Sequence, residues 1–120
     1  MKKEAILGLK NLNVDLIVLH YSGGGDSGAI DDFLYYKKIE DGDSFDLNNF
    51  EEMFKIDFNT KLIEDFAYPI LNEIEDWWNN EGGNGMMYIN LESMEYKIEN
   101  EIRVYNYDTY YHDGSFKITE

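Results

Sequence analysis

The chain has 120 residues, of which 43% are hydrophobic and 16% aromatic, and its 25 acids against 10 bases give a net charge of −15. This length fits a single domain spanning residues 1–120, and the apolar content argues against intrinsic disorder. The absence of cysteine excludes disulfides, thiolate zinc sites and cysteine nucleophiles. The negative charge opposes direct binding to nucleic acid or to anionic membranes, and it favours basic partners.

No export signal is predicted at the N-terminus, because the apolar run after the first lysines is short and is interrupted by Lys10 and Asn11. The longest aliphatic run, residues 16–19, is too short to cross a bilayer. We therefore expect a cytoplasmic protein that does not bind membranes.

The N-terminal part of the chain predicts a helix followed by a hairpin. Residues 3–12 place their apolar side chains on one side of a short helix. Residues 14–21 are β-branched, aliphatic and aromatic, which is typical of a strand. A glycine run at residues 23–28 separates them from the alternating residues 29–39, which predict a second, antiparallel strand.

An acidic segment, residues 40–52, follows this hairpin. Asn48 and Glu51 have the spacing of a capping box, in which each side chain bonds the backbone of the other residue at the start of a helix. A short helix is therefore expected at the end of the acidic segment.

The clearest helix is predicted from apolar residues that recur at three- and four-residue steps between Ile63 and Trp78. Asn59 or Thr60 is expected to cap its start. Pro69 lies within the pattern, and because the pattern continues in phase beyond it, we expect a kink there.

The C-terminal part of the chain predicts a second hairpin. A glycine run at residues 82–85 ends the long helix, and residues 86–92 and 95–107 predict a third and a fourth strand. The tail is expected to add an edge strand near a turn at Asp113 and Gly114. The predicted fold is α+β, with the order α-β-β-α-α-β-β and an antiparallel sheet of four to five strands covered by helices on one face.

Ser27 lies in GDSGA, which has some features of a nucleophile elbow. The segment after it predicts a strand instead of a helix, and only His20 and His112 are available as a base. We therefore predict no catalytic residue.

Three aspartates near the first glycine run are oxygen ligands suited to Ca²⁺ or Mg²⁺. Asp31 and Asp32 are expected to point to opposite faces of a strand, so at most one of them joins Asp26. We therefore predict no metal site and no cofactor.

The two glycine runs together resemble those of a known family. YSGGGDSGAID, NNEGGNG and MYINLESMEYKIENEIR resemble a domain-of-unknown-function family of small acidic bacterial, plasmid and phage proteins. That family pairs G-x-GDSG-x-I with W-x-N-x-GG-x-G and a closing hairpin, and the resemblance covers roughly residues 14–103. It implies a fold more than a function, and this chain departs from it at Pro69, in the acidic segment and in the tyrosine-rich tail.

The first hypothesis is a non-enzymatic acidic inhibitor that blocks a basic, nucleic-acid-binding type of surface on a protein partner. Phage anti-defence proteins, including anti-CRISPR proteins, and immunity proteins act in this way, and the partner would be a nuclease or a defence effector. Acids and interface-type tyrosines are the predicted partner-binding residues. They are Glu40, Asp41, Asp43, Asp46, Glu51, Glu52, Tyr105, Tyr107, Tyr110 and Tyr111.

The alternative hypothesis is a small enzyme, or a metal- or ligand-binding domain, centred on the two glycine runs. If the runs meet at one end of the sheet, they form the best remaining place for a ligand. The residues predicted for that site are Asp26, Ser27, Asn79, Asn80, Glu81 and Asn84.

Overall fold

The structure, a computed structural model, describes residues 1–24, 27–74, 82–103 and 107–119, without the side chains of Ser27, Arg103 and Tyr107. These residues form an α+β domain with the element order α-β-β-β-α-β-β-β. The helices are α1 (Lys3–Asn11) and α2 (Lys61–Leu71), and the strands are β1 (Leu16–Gly24), β2 (Ser27–Lys38), β3 (Phe50–Met53), β4 (Gly83–Asn90), β5 (Glu95–Arg103) and β6 (Tyr107–Ser115). Within the described residues, no helix has the length and apolar character needed to cross a membrane.

The six strands form one antiparallel sheet in the order β3-β2-β1-β4-β5-β6. The predicted hairpins β1–β2 and β4–β5 are confirmed, and β6 is the predicted edge strand. The prediction of four to five strands is wrong because β3 adds a second edge strand. The predicted turn at Asp113 and Gly114 is also wrong, since both residues lie inside β6, where Gly114 leaves room for the ring of Tyr96.

The predicted helix at the end of the acidic segment is replaced by one 3-10 turn and β3. Asp46 Oδ1 accepts a hydrogen bond from the Asn48 N–H at 3.0 Å and starts that turn. The chain then extends, and Glu51 pairs with Lys37 of β2. The capping-box spacing was misleading because Phe50 packs on the sheet and is only 8% exposed, which favours an extended backbone.

Two apolar clusters lie on opposite faces of the sheet. Ile17, Leu19 and Tyr21 of β1 belong to the larger cluster, whereas Leu16 and Val18 belong to the smaller one. Successive residues of a strand point to opposite faces, so the sheet itself separates the clusters. The buried residues of α1 and α2 all belong to the larger cluster, so both helices lie on one face. We call the opposite face, which carries Leu16 and Val18, the far face.

Helix α2 ends two residues after Pro69, so the predicted continuation through residues 72–74 is wrong. Proline has no N–H to donate and its ring crowds the preceding turn, which weakens the helix at this point. The remainder of the predicted helix, including Trp77 and Trp78, lies outside the described residues. At the other end, Asn59 Oδ1 accepts from the Lys61 N–H at 3.1 Å, so Asn59 supplies the predicted side-chain cap.

The ring of Tyr21 crosses β4 above Gly85 to reach β5. Tyr21 is 1% exposed, and its hydroxyl donates to Asn100 Oδ1 at 2.8 Å. Tyr21 pairs with Gly85, and Gly85 pairs with Asn100, so the three residues lie in one row across the sheet. A Cβ at position 85 would lie 2.6 Å from Tyr21 Cζ and would also meet the carbonyl oxygen of Glu99. This close approach is what requires glycine at position 85.

Gly85→Ala is expected to lower the free energy of unfolding by about 1–3 kcal/mol, because the added methyl group displaces the Tyr21 ring. Gly8→Ala in α1 is the comparison variant, since the three atoms nearest its Cβ belong to the side chain of the half-buried Phe58, the closest at 2.8 Å, whereas the Cβ at position 85 also meets a backbone carbonyl. Alanine favours a helix over glycine, which offsets part of the cost of moving that ring, so Gly8→Ala should lose less stability than Gly85→Ala. Urea unfolding measures both variants, and a Gly85→Ala protein as stable as the unchanged chain would contradict the prediction.

Candidate functional site

The two glycine runs meet at one end of the sheet. Gly23 of β1 pairs with Gly28 of β2 on one side and with Gly83 of β4 on the other. Gly82 has a φ of 80°, and a Cβ there would collide with the carbonyl oxygen of Gly23. The ends of three strands therefore come together, as a ligand site at the glycine runs would need.

Among the residues predicted for that ligand site, Asn84 is the one whose side chain lies in the described part of the chain. Asn84 pairs with Ser22 and shares the far face with it. Ser27 begins β2 opposite Gly24, and its side chain is not described. The other predicted residues, Asp26, Asn79, Asn80 and Glu81, lie outside the described residues.

A β-bulge in β2 sets the position of Asp31. His20 pairs with Asp32, whereas the next β1 residue pairs two residues farther back in β2, so Asp31 is the extra residue of the bulge. Ser22 Oγ donates a hydrogen bond to Asp31 Oδ2. The prediction that Asp31 and Asp32 face opposite sides is wrong, because a bulge breaks the two-residue alternation of the strand. Both carboxyl groups lie on the far face, close to His20.

A groove of about 320 Å³ runs along the far face beside this bulge. Residues of β1, β2, β4 and β5 line it: His20, Tyr21, Ser22, Asp31, Asn84, Gly85, Met86, Glu99 and Glu101. Pairing across the strands places His20 between Asp32 and Met86, and places Glu99 beyond Met86. The groove is therefore a polar trough whose carboxylates come from two sides.

The groove offers mainly hydrogen-bond acceptors, because the Ser22 hydroxyl already donates to Asp31. Ser27 lies opposite Gly24, which is four residues beyond His20 or about 13 Å along the strand, so Ser27 does not lie beside His20. The described residues contain no group of three or more His, Asp or Glu side chains arranged to hold a metal ion. A ligand that carries positive charge and donates hydrogen bonds would fit these carboxylates best.

The acidic segment lies over the other end of the far face. Phe45 contacts the Tyr88 ring edge-on, with 6.4 Å between ring centroids, and Phe50 joins the same cluster. Burial, with a smaller effect of the Glu99 charge, raises the pKa of Tyr88 above its usual value. The acidic segment thus covers the apolar part of the far face, and the described residues leave the groove uncovered.

Asn90 fastens the acidic segment to the sheet. Its side chain is buried, with Nδ2 donating to the Ser44 carbonyl at 2.8 Å. Its Oδ1 accepts from the N–H groups of Glu92 and Ser93, each at 2.9 Å. One amide therefore holds both the segment and the turn between β4 and β5.

Lys38 provides a second, exposed attachment. Its Nζ lies 2.7 Å from Asp41 Oδ1 and 3.0 Å from Glu92 Oε1. The hydrogen bond from Lys38 lowers the pKa of Asp41, and the bonds to Asp41 and Glu92 raise the pKa of Lys38. Because the folded-state pKa of Asp41 is lowered, the contact persists at neutral pH and is lost as the pH falls through that lowered pKa.

The predicted partner-binding residues fall in separate places. Glu40, Asp41, Asp43 and Asp46 are exposed in the segment that is attached to Asn90 of β4, whereas Glu51 and the half-buried Glu52 lie on β3. Burial raises the pKa of Tyr36, and the charge and hydrogen bond of the Glu52 carboxylate raise it further. Tyr110 and Tyr111 lie on β6, five strand spacings or about 24 Å from β3. Tyr105 and the side chain of Tyr107 lie outside the part of the chain that the structure describes. The predicted patch is therefore not one compact cluster.

The far-face residues Asp32, Glu99 and Glu101 were not predicted as site residues. For Glu99 and Glu101 the sequence contained an indication, because Lys97, Glu99 and Glu101 alternate with apolar or buried positions along β5. That pattern indicates a solvent-facing side of a strand, but it does not reveal which neighbouring strands add further acids. Strand order supplied the missing information.

No family model matches this sequence, and no curated protein or solved structure is similar enough to count as a match. The resemblance to a domain-of-unknown-function family stays a prediction. Function is therefore inferred from the residues and their placement.

Asn90→Ala is expected to lower the free energy of unfolding by about 2 kcal/mol, because three backbone groups lose their buried partner. Amide exchange at Glu92 and Ser93, which donate to Asn90, should become faster. Asn48→Ala, at an exposed position, is the control and should change stability by less than about 0.5 kcal/mol. Unchanged protection of both amides in Asn90→Ala would show that Asn90 does not hold this turn.

Proposed function

We propose that this protein is a non-enzymatic binding module whose acidic far face docks on a basic surface of a protein partner and blocks it. One observation carries the proposal: the far face presents Asp31, Asp32 and Glu101, none of which forms an ion pair within the described residues. Glu99 lies in the row of paired residues that runs from Asp32 to Tyr111 across the same face.

The distribution of cations supports this choice of face. Ion pairs of the described residues involve Lys38, Lys61 and Lys97, and the one nearest the groove joins Lys97 Nζ and Glu99 Oε1 at 3.6 Å. Lys97 Nζ also lies 5.9 Å from the centre of the Tyr88 ring, so it contacts that ring as well as Glu99. Among the described side chains, the far-face acids other than Glu99 are therefore available to a partner.

Tyr111 adds a candidate anchor. Tyr111 is 67% exposed and is paired with Glu99 in the register of β5 and β6. A tyrosine beside carboxylates combines apolar contact with hydrogen bonding, which is common at the centre of protein interfaces. The charge of −15 would speed association with a basic partner and make it sensitive to salt.

A nuclease or a defence effector is the class of partner that this surface suits best. Such proteins carry basic channels for nucleic acid, and a face of regularly spaced carboxylates competes for the same channels. Under this proposal the protein inhibits by occupying the channel, in the manner of phage anti-defence or immunity proteins, with no cofactor.

The triple variant Asp32→Asn, Glu99→Gln and Glu101→Gln is expected to weaken partner capture by about tenfold, because it removes three far-face charges. The control variant Glu4→Gln, Asp57→Asn and Glu73→Gln removes the same charge at exposed positions outside the far face. Each protein is immobilised and titrated with a bacterial extract, and the bound proteins are quantified by mass spectrometry. A basic protein should be retained by the unchanged chain and the control, and released by the far-face variant.

Equal losses in the two triple variants would show that capture follows net charge alone, and capture unaffected by either would contradict the far-face proposal. Both variants are amides of the original side chains, so hydrogen-bond acceptors such as Asp32 Oδ1, which accepts from the Phe33 N–H, are retained. Circular dichroism checks that both remain folded.

The second candidate function is binding of a small ligand at the glycine-run end of the groove. It is favoured by the meeting of the two runs beside Asn84. Small organic cations, screened by thermal shift, are the probes that fit this acceptor-rich groove. Asn84→Ala should abolish a ligand-dependent shift and leave protein capture unchanged, which separates the two functions.

A further inference from the structure

The outer edge of β6 is not paired with any other strand of the described residues. β6 has nine residues, and its pairing with β5 runs from Tyr107 to Ser115 without a register shift. Its sequence contains no proline and no lysine, which are the residues that commonly prevent pairing at an edge. Within the described residues, β6 is the last strand of the sheet. The opposite edge strand, β3, has only four residues.

The phase of the β5–β6 ladder identifies the backbone groups that point outward. The Phe116 N–H donates to the Met94 carbonyl at 2.9 Å, and these residues continue the β5–β6 register. Hydrogen-bonded pairs alternate along an antiparallel ladder, so Tyr110 and His112 direct their backbone groups to β5. Thr109 and Tyr111 therefore direct their N–H and C=O groups away from the sheet.

The negative charge of the chain decides which kind of segment can pair with the outer edge of β6. A second copy of the chain would bring another net charge of −15 against the first, which opposes self-association. β6 itself contributes Asp108 and Asp113, and Glu99 and Glu101 lie one strand farther in, on the far face. A seventh strand would lie about 10 Å from β5, within reach of long basic side chains. The complementary occupant is an extended segment rich in Lys or Arg.

We propose that the outer edge of β6 binds a basic, extended segment of the protein partner as a seventh strand of the sheet. This inference rests on the proposed function, because it gives the docking mode of that same basic partner. Backbone hydrogen bonds at Thr109 and Tyr111 supply the pairing. Alternate basic side chains of the segment lie on the far face, next to Thr109, Tyr111 and Asp113, and reach Glu99 and Glu101.

Two synthetic peptides, each as long as β6, test this mode of binding. One alternates lysine with valine, and the other has the same charge but carries proline in place of valine, so that it cannot continue a ladder. Fluorescence anisotropy with the full chain should show the lysine–valine peptide binding about tenfold more tightly. Equal affinity for the two peptides would overturn strand addition.

Substitutions at Thr109 provide the matched variants. Thr109→Pro removes an outward N–H and leaves the bonds to β5 intact, so affinity for the lysine–valine peptide should fall about tenfold. Thr109→Val keeps the N–H and should bind as the unchanged chain does. Undiminished peptide binding by a folded Thr109→Pro protein would overturn the proposal. A dimer of the unchanged chain in sedimentation that Thr109→Pro disrupts would also overturn it, because a second copy would then occupy the edge.

Amide hydrogen exchange in the unchanged chain tests the same point without any variant. Addition of the lysine–valine peptide should protect the amides of Thr109 and Tyr111, whereas Tyr110 and His112, already bonded to β5, should change little. Protection that spares Thr109 and Tyr111 would contradict strand addition. If strand addition fails while the far-face triple variant still loses partner capture, the acidic-face proposal stands. Capture that the far-face triple variant retains, or that both triple variants lose equally, is the separate failure of the proposed function.

Discussion

In the part of the chain that the structure describes, two short helices cover one face of a six-stranded sheet, so the exposed part of the other face must be compatible with water. The chain meets this constraint differently at the two ends of the far face. At one end the acidic segment folds over Leu16 and Val18 and places Phe45 and Phe50 on them. At the other end the groove is lined mainly by polar residues, with the acids Asp31, Glu99 and Glu101 among them. A charged face that the described residues leave uncovered is the physical basis for a docking surface.

On the helix-covered face of the same strands, glycines allow the close packing that holds the sheet together near the glycine runs. Gly85 lets the Tyr21 ring cross β4 and bond to the buried Asn100, which closes the helix-covered face near the glycine runs. Gly23 and Gly82 allow the strand ends to approach more closely than side chains would permit. The glycine runs first suggest an active-site loop. In their described part they are explained by close packing of the backbone and of one tyrosine ring.

Local patterns predicted the elements that depend on local chemistry. The α1 helix, the β1–β2 and β4–β5 hairpins and the helix-covered face follow from periodicity and turn residues. The bulge at Asp31 could not be predicted, because its anchor is the Tyr68 hydroxyl of α2, which accepts from the Ile30 N–H at 3.0 Å. β3 was missed because burial of Phe50 outweighs the local capping signal. The far-face acids depend on strand order, which no spacing in the chain encodes.

The central claim is that a basic partner covers the far face and leaves the helix-covered face free. Carboxylate footprinting of the complex with the captured partner, read by mass spectrometry, tests this most directly. We predict reduced labelling of Asp32, Glu99 and Glu101 in the complex and unchanged labelling of the exposed acids Glu4 and Glu73. Reduced labelling of Glu4 and Glu73, with the far-face acids still reactive, would contradict the claim.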